Sequence, residues 1–492
     1  MRSARADRGT ALWRQFGART PTLKVYPHRQ ALRIRSMARS WSRLCAPENP
    51  FVLSLSKHDH AATFANLTAA SGAARYDPDM LRRFALVAAE PSVERRPWAP
   101  SIWVLMGIAA VVLGIAIGAG ISVGFQRGPL AKYEYHLWRW EADTLPGNAF
   151  ARLGIGPKPG QADSTAALNS YFALTSQLRA AQDAEQPDLV LIEALLNERT
   201  TYENDVERIV ERYIDGAVAM AGLQERLPLF SGVRVTWPPV DFELTSPPRL
   251  LVRSPRSRIE RAGDTLLKND LTLRDIEVIE KDSDSANVVS LVVAVGGIAA
   301  YPAIVRDDRS YDSLLDTASH EWVHHYLAFY PLGKEWGKGG DAETLNETTA
   351  NIAGRELANL IRAAHPLKLP EGSDGRGPTG QAPSVDFNME MRKLRLEVDA
   401  LLKDGKVDEA ERAMEERRKF LNAHGIAIRK LNQAYFAFFG TYGDSAASSN
   451  PVGPKVERVW QLTNDVGAFL VVMRDVKNVG DLDRGIARLE GR

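Results

Sequence analysis

The hydrophobic and polar positions along the chain divide it into segments of different kinds. Residues 102–125 carry no charge over 24 positions. As a helix this run is about 36 Å long, enough to cross a bilayer, so it predicts a transmembrane helix. A cleaved signal peptide is the alternative, but the run is long for one and no clear small-residue cleavage site follows it.

Positive charges flank this run on both sides. Four precede it and three follow it: Arg82, Arg83, Arg95 and Arg96, then Arg127, Lys132 and Arg139. The small excess before the run favours a cytoplasmic N-terminus. We therefore expect a single-pass membrane protein that contacts the lipid bilayer through residues 102–125, with the long part of the chain after this run outside the cytoplasm.

Residues 1–90 have a different composition from the rest of the chain. Eleven Arg or Lys but a single acidic residue, Asp7, precede Pro47. Such a basic segment is typically disordered. The alternative is a mis-assigned start, because residues 49–58 resemble a peptide that recurs when bacterial intergenic repeats are translated. The chain would then begin at Met80.

Helical periodicity dominates residues 141–232 after a Gly/Pro-rich connection. Apolar residues recur at helical spacing over residues 165–227, and Pro187 divides them. This pattern predicts a packed helical hairpin, with a stalk or the wall of a substrate groove as the alternative.

Residues 233–365 combine strands with two helices. Alternating apolar residues separated by turn residues predict five strands, at residues 233–237, 240–244, 249–253, 275–280 and 288–295. A Pro/Gly-rich linker is expected at residues 366–383. Two apolar stripes at helical spacing then predict a helical hairpin that opens the C-terminal helical region, residues 384–492.

Composition narrows the possible functions. The chain has 492 residues and a net charge of +1, so no nucleic-acid partner is expected. A single cysteine, Cys45, excludes an intramolecular disulfide and a cysteine-based zinc site.

One helix carries a metal-binding pattern. His320-Glu321-Trp322-Val323-His324 places two histidines four residues apart, on one face of a helix, where both imidazoles can bind the same ion. We expect Asp312 or Ser313 to cap this helix. A zinc ion with a third protein ligand, a water in the fourth position and Glu321 as the general base would form a hydrolytic site.

A second helix extends the pattern. Glu347 lies 23 residues after His324, within Asn346-Glu347-Thr348-Thr349-Ala350. Here residues 312–358 resemble the gluzincin metallopeptidases, the thermolysin-like class. In that class a glutamate in an Asn-Glu-x-x-Ala motif on the next helix is the third zinc ligand, so the resemblance implies that Glu347 completes the site with His320 and His324.

Other side chains compete for these roles. Glu343, Asp341 and Glu356 are the competing carboxylates, but Glu356 lies two and a half turns beyond Glu347 and Asp341 falls in the expected loop. Asn351 is one turn after Glu347 and is expected to orient a ligand histidine.

The resemblance also implies two parts of a substrate site. Gluzincins have a sheet-edge strand before the zinc helix that pairs with the substrate, and residues 296–302 occupy that place; an ordinary edge strand is the alternative. A tyrosine or histidine from C-terminal sequence commonly binds the oxyanion. Tyr435 is slightly favoured over Tyr442, with core packing as the alternative for both, and His325 and His424 are discounted.

These expectations combine into one hypothesis. The fold is α+β, with a gluzincin-like small sheet over a zinc-binding helix pair and helical segments before and after it. The protein is a membrane-anchored zinc peptidase acting on a peptide or protein substrate. The alternatives are a non-enzymatic envelope protein that binds a partner and holds a structural metal, or a zinc hydrolase of non-peptide bonds. The retained Glu321 argues against the first, because a structural zinc needs no adjacent base.

Overall fold

The computed structural model describes residues 130–141, 144, 164–227, 230–367 and 385–491. The proposed N-terminal tail, the predicted membrane span and most of the predicted linker lie outside these ranges. In the part of the chain that is described, no helix combines the length and the apolar composition required to cross a bilayer.

The described residues mix helices with small sheets, which agrees with the expected α+β class. The helices in chain order are α1 (Ser164–Gln182), α2 (Leu189–Thr200), α3 (Glu203–Met220), α4 (Leu273–Ser283), α5 (Tyr311–Leu327), α6 (Pro331–Lys334), α7 (Asp341–Ala364), α8 (Phe387–Lys403), α9 (Val407–Ala423), α10 (Gln433–Phe439), α11 (Val452–Thr463), α12 (Val466–Met473) and α13 (Val479–Leu489). The strands are β1 (Glu225–Leu227), β2 (Phe230–Val235), β3 (Phe242–Leu244), β4 (Arg249–Pro255), β5 (Gly263–Leu267), β6 (Val288–Ala294), β7 (Gly297–Ile298) and β8 (Ala303–Val305).

Four of the five predicted strands overlap β2, β3, β4 and β6. The prediction of a strand at residues 275–280 was wrong, because this segment belongs to α4. The alternation of Ile276 and Val278 with acidic residues is typical of a strand. However, Thr272 and Asp275 form a reciprocal capping box that starts a helix. The helix then buries Ile276 and Ile279, three residues apart, and exposes Val278.

The helical predictions hold with small changes. α1, α2 and α3 fill residues 164–220, but β1 and β2 take the end of the segment that we expected to be helical, residues 141–232. α8 and α9 pack against each other across the turn at Gly405, as the hairpin prediction requires.

Two of the sheets position different parts of the molecule. In the three-stranded antiparallel sheet, β4 lies between β5 and β6. This sheet packs against α10, and residues of α8 and α9 belong to the same hydrophobic core. In the other sheet, β8 pairs in parallel with β3 and antiparallel with β7, and it rests against α5. β7 is therefore the edge strand on the α5 side of the molecule.

A buried ion pair fixes the loop that leads into α5. Arg199 on α2 donates from Nη2 to Asp307 Oδ2 at 2.7 Å and from Nη1 to the Asp307 carbonyl oxygen at 2.8 Å. The hydroxyl of Tyr171 donates to the same carbonyl at 3.0 Å. Because Arg199 is only 2% exposed, these bonds lie away from water and hold the first helices against the start of α5.

Helices α5 and α7 cross closely at a glycine. A methyl group at Gly354 of α7 would lie 2.8 Å from the backbone nitrogen and from the Cα atom of His320 on α5. Only glycine gives the two backbones this separation. The crossing lies within the largest core, which also includes residues of α3, α11 and α12.

Replacing Gly354 by alanine should therefore destabilise the fold, by about 1–3 kcal/mol, because the methyl group must push two packed helices apart. Gly485→Ala is a matched control. It lies inside α13, where the new methyl would meet only Val472 Cγ1 at an ordinary 3.6 Å, so higher helix propensity should maintain or increase stability. Thermal unfolding of both variants, followed by circular dichroism, measures the difference. Equal midpoints would contradict a tight crossing.

Candidate metal centre

Helix α5 brings His320 and His324 together. Ser310, rather than Asp312 or Ser313, caps the helix by accepting a hydrogen bond from the backbone nitrogen of Ser313. Four residues along an α-helix make slightly more than one turn, so the two imidazoles lie side by side. Their Nε2 atoms are 2.9 Å apart, and both side chains are half-buried.

Glu347 on α7 completes the cluster. Its Oε2 atom lies 3.4 Å from His320 Nε2 and 3.5 Å from His324 Nε2. The residue is buried, and this oxygen accepts no hydrogen bond. Burial alone would raise the pKa of Glu347, but His324 and His320 hold the pKa below its ordinary value. A buried carboxylate oxygen without a hydrogen bond requires a positive partner.

The three atoms suit a zinc ion. A tetrahedral Zn²⁺ with bonds of about 2.0–2.1 Å holds its ligands about 3.3 Å apart, close to the observed separations of 2.9 to 3.5 Å. Two imidazole nitrogens and one carboxylate oxygen are also a usual donor set for catalytic zinc. The structure thus brings together the three side chains that the sequence and its resemblance suggested as metal ligands.

Asn346 orients one of the histidines. Nδ1 of His324 donates to Asn346 Oδ1 at 2.7 Å, so Nε2 is the ring nitrogen through which His324 could bind a metal. We expected Asn351 in this role, but the Asn351 amide donates instead to Asp444 Oδ1 at 3.2 Å. Since Asn346 is adjacent to Glu347, the first residue of the motif was the signal that sequence reasoning missed.

The competing carboxylates have other partners. Oε2 of Glu343 lies 3.6 Å from Arg261 Nη1, in the loop between β4 and β5. Asp341 accepts a hydrogen bond from Asn450 at 3.0 Å, and Glu356 accepts one from Asn359 at 3.1 Å. Glu347 is the carboxylate that faces both histidines.

Glu321 lies next to the cluster but outside it. The residue is 6% exposed, and its carboxylate lies against the backbone of β7. A methyl group at Gly297 would overlap Glu321 Oε1, so the glycine makes room for the carboxylate. Burial raises the pKa of Glu321; the two histidines oppose the rise and Glu347 adds to it. A carboxylate with a raised pKa is better suited to accept a proton near neutral pH.

The structure separates the two tyrosine candidates. The ring of Tyr442 lies 6.4 Å from the ring of His320, whereas Tyr435 packs on Phe439 and Phe436 in the second core. This geometry reverses our preference for Tyr435. Helix α7 fixes the Tyr442 loop, because Gly443 N donates to Thr348 Oγ1 at 2.8 Å. Burial and the charge of Glu347 raise the pKa of Tyr442, so its hydroxyl keeps its proton.

The two other histidine candidates have structural contacts. His325 is buried and donates from Nε2 to the Ala300 carbonyl oxygen at 2.7 Å, which ties α5 to the segment after β7. Burial lowers the pKa of His325 to about 4, so it is neutral. Nδ1 of His424 donates to the Phe420 carbonyl oxygen at the end of α9.

Comparisons of the chain with protein-family models, with curated proteins and with solved structures gave no match. The resemblance to gluzincins rests on the motif residues of α5 and α7 alone.

Proposed function

We propose that the chain is a zinc-dependent peptidase of gluzincin type. The observation that carries the proposal is the convergence of His320 Nε2, His324 Nε2 and Glu347 Oε2, beside a buried Glu321 that is not one of the three. A site of this composition has ligands for one ion and a separate base, which is what hydrolysis requires.

The residues have distinct roles in this proposal. When bound, the zinc ion polarises the carbonyl group of the scissile bond and lowers the pKa of water towards about 7. Glu321 accepts the proton that the attacking water loses as its oxygen bonds to the carbonyl carbon. Glu321 then passes this proton to the amine nitrogen as the C–N bond breaks. Asn346 keeps His324 in the tautomer that can bind the metal.

Tyr442 is the proposed oxyanion donor. Its ring is beside His320, and its loop is held by Thr348, one residue after Glu347. A protonated hydroxyl at this place can donate to the carbonyl oxygen as negative charge develops there.

The position of strand β7 favours a peptide as the substrate. It forms the edge of its sheet, and Gly297 brings its backbone against Glu321. An extended peptide can add to such an edge through main-chain hydrogen bonds, which would place its backbone beside the base. This contact favours peptide bonds over the other bonds that a zinc hydrolase could cleave.

The alternative, a non-enzymatic envelope protein with a structural metal, does not account for the buried Glu321. Burying the Glu321 carboxylate costs free energy, and a purely structural site gains nothing from it. The cost is understandable if the carboxylate acts in catalysis.

We further propose that residues 102–125 anchor the protein in a membrane, with the metal centre outside the cytoplasm. Support comes from the length of the uncharged run and from the arginines before it. Release of the full chain from membranes by alkaline extraction would contradict the anchor.

Glu321→Gln tests the proposed function most simply. The amide keeps the shape of the side chain but cannot accept the proton, so the full chain should hold as much zinc as the wild type and lose at least about a hundredfold in kcat. Cleavage of a peptide library, analysed by mass spectrometry, measures turnover, and elemental analysis of the same sample measures zinc. As a control, chelation should abolish wild-type cleavage and added Zn²⁺ should restore it. Wild-type turnover in Glu321→Gln would exclude this mechanism.

Tyr442→Phe tests the oxyanion donor, since it removes the hydroxyl and keeps the ring. We expect kcat to fall by roughly tenfold to a thousandfold with little change in substrate binding. Tyr435→Phe is the matched control and should turn over like the wild type, because its ring packs with Phe436 and Phe439. The assignment is wrong if the two variants behave in the opposite way.

A further inference from the structure

Trp336 is an exposed aromatic residue beside the metal centre. It lies between α6 and α7, and its indole ring is 5.1 Å from the ring of His324, at an interplanar angle of 67°. The residue is 40% exposed. One part of the indole thus contacts a proposed ligand, and another part presents apolar surface to solvent.

The surrounding backbone holds Trp336 in place. The Trp336 backbone nitrogen donates to the Gly333 carbonyl oxygen at 3.1 Å, and α6 is packed so closely on the end of α5 that a methyl group at Gly333 would overlap the Leu327 carbonyl. On the other side, Gly340 caps α7, the helix that carries Glu347. These contacts hold the indole against the end of α5 that carries His324.

Two aromatic side chains flank the pair of histidines. Tyr442 lies beside His320 and Trp336 lies beside His324, one turn further along α5. A peptide bound across the histidines would pass Tyr442 on one side and Trp336 on the other. The exposed indole would then face a side chain on one side of the scissile bond.

We infer that Trp336 is a specificity-determining residue whose indole forms one wall of a subsite for an aromatic or large apolar substrate side chain. The inference rests on the proposed peptidase function. An apolar side chain is favoured because the exposed part of the indole is itself apolar, and contact between the two removes apolar surface from water.

Binding to the zinc-loaded Glu321→Gln protein tests this without turnover. Peptides carry either Phe or Ala at each position next to the bond that the wild type cleaves, and calorimetry gives their Kd values. At one position the Phe peptide should bind about three- to tenfold more tightly than the Ala peptide, the usual size of one aromatic contact. A second substitution, Trp336→Ala, should abolish this ratio, and Trp336→Phe should largely keep it.

Trp138→Ala is the matched control, because Trp138 is also an exposed tryptophan, at 54%, and should leave the ratio unchanged. The zinc content of every variant is measured in parallel. If Trp336→Ala weakens both peptides equally, or loses zinc while the ratio persists, Trp336 only supports His324 and the inference is overturned. If the wild type cleaves no peptide and Glu321→Gln binds none, the proposed function itself fails, and the inference fails with it.

Discussion

Helices α5 and α7 approach each other closely because Gly354 has no side chain where it faces the backbone of His320. The separation of the helices determines how far Glu347 can reach towards the two imidazoles. If the helices moved apart, the Oε2 atom of Glu347 would lie farther from His320 Nε2 and His324 Nε2 than the present 3.4 and 3.5 Å. The candidate site thus depends on helix packing in the largest core, and its ligands need no flexible loop to bring them together.

The site also concentrates buried charge. Glu347 and Glu321 both lie in the core at 7% and 6% exposure, close to each other and to two histidines. Two carboxylates at such a place cost free energy unless positive charge balances them. A divalent cation would provide that balance for Glu347, while Glu321 remains available as a base. Arg261 adds a positive charge nearby, because it pairs with Asp264 and lies 3.6 Å from Glu343, one turn before Glu347.

The pair of histidines follows from local sequence, whereas the contacts around it depend on distant segments of the chain. His320 and His324 are four residues apart, so helix geometry alone places their side chains next to each other on one face of α5. The orienting role of Asn346 and the position of Trp336 depend on how distant segments pack, and a one-dimensional pattern does not encode that. Tyr442 and Tyr435 lie in the same aromatic stretch, so the sequence offered little to distinguish them as oxyanion donors. Their difference comes from the contact between Gly443 and Thr348, 95 residues apart.

The zinc content of the purified full chain tests the central claim most directly when it is measured beside two single variants. Wild type and Glu343→Ala should each hold about one zinc ion per chain, whereas Glu347→Ala should lose most of its zinc because one of three ligands is gone. Glu343 is the proper comparison because it lies one turn away on the same helix and pairs with Arg261. Equal zinc in all three proteins, or loss in Glu343→Ala alone, would contradict the account.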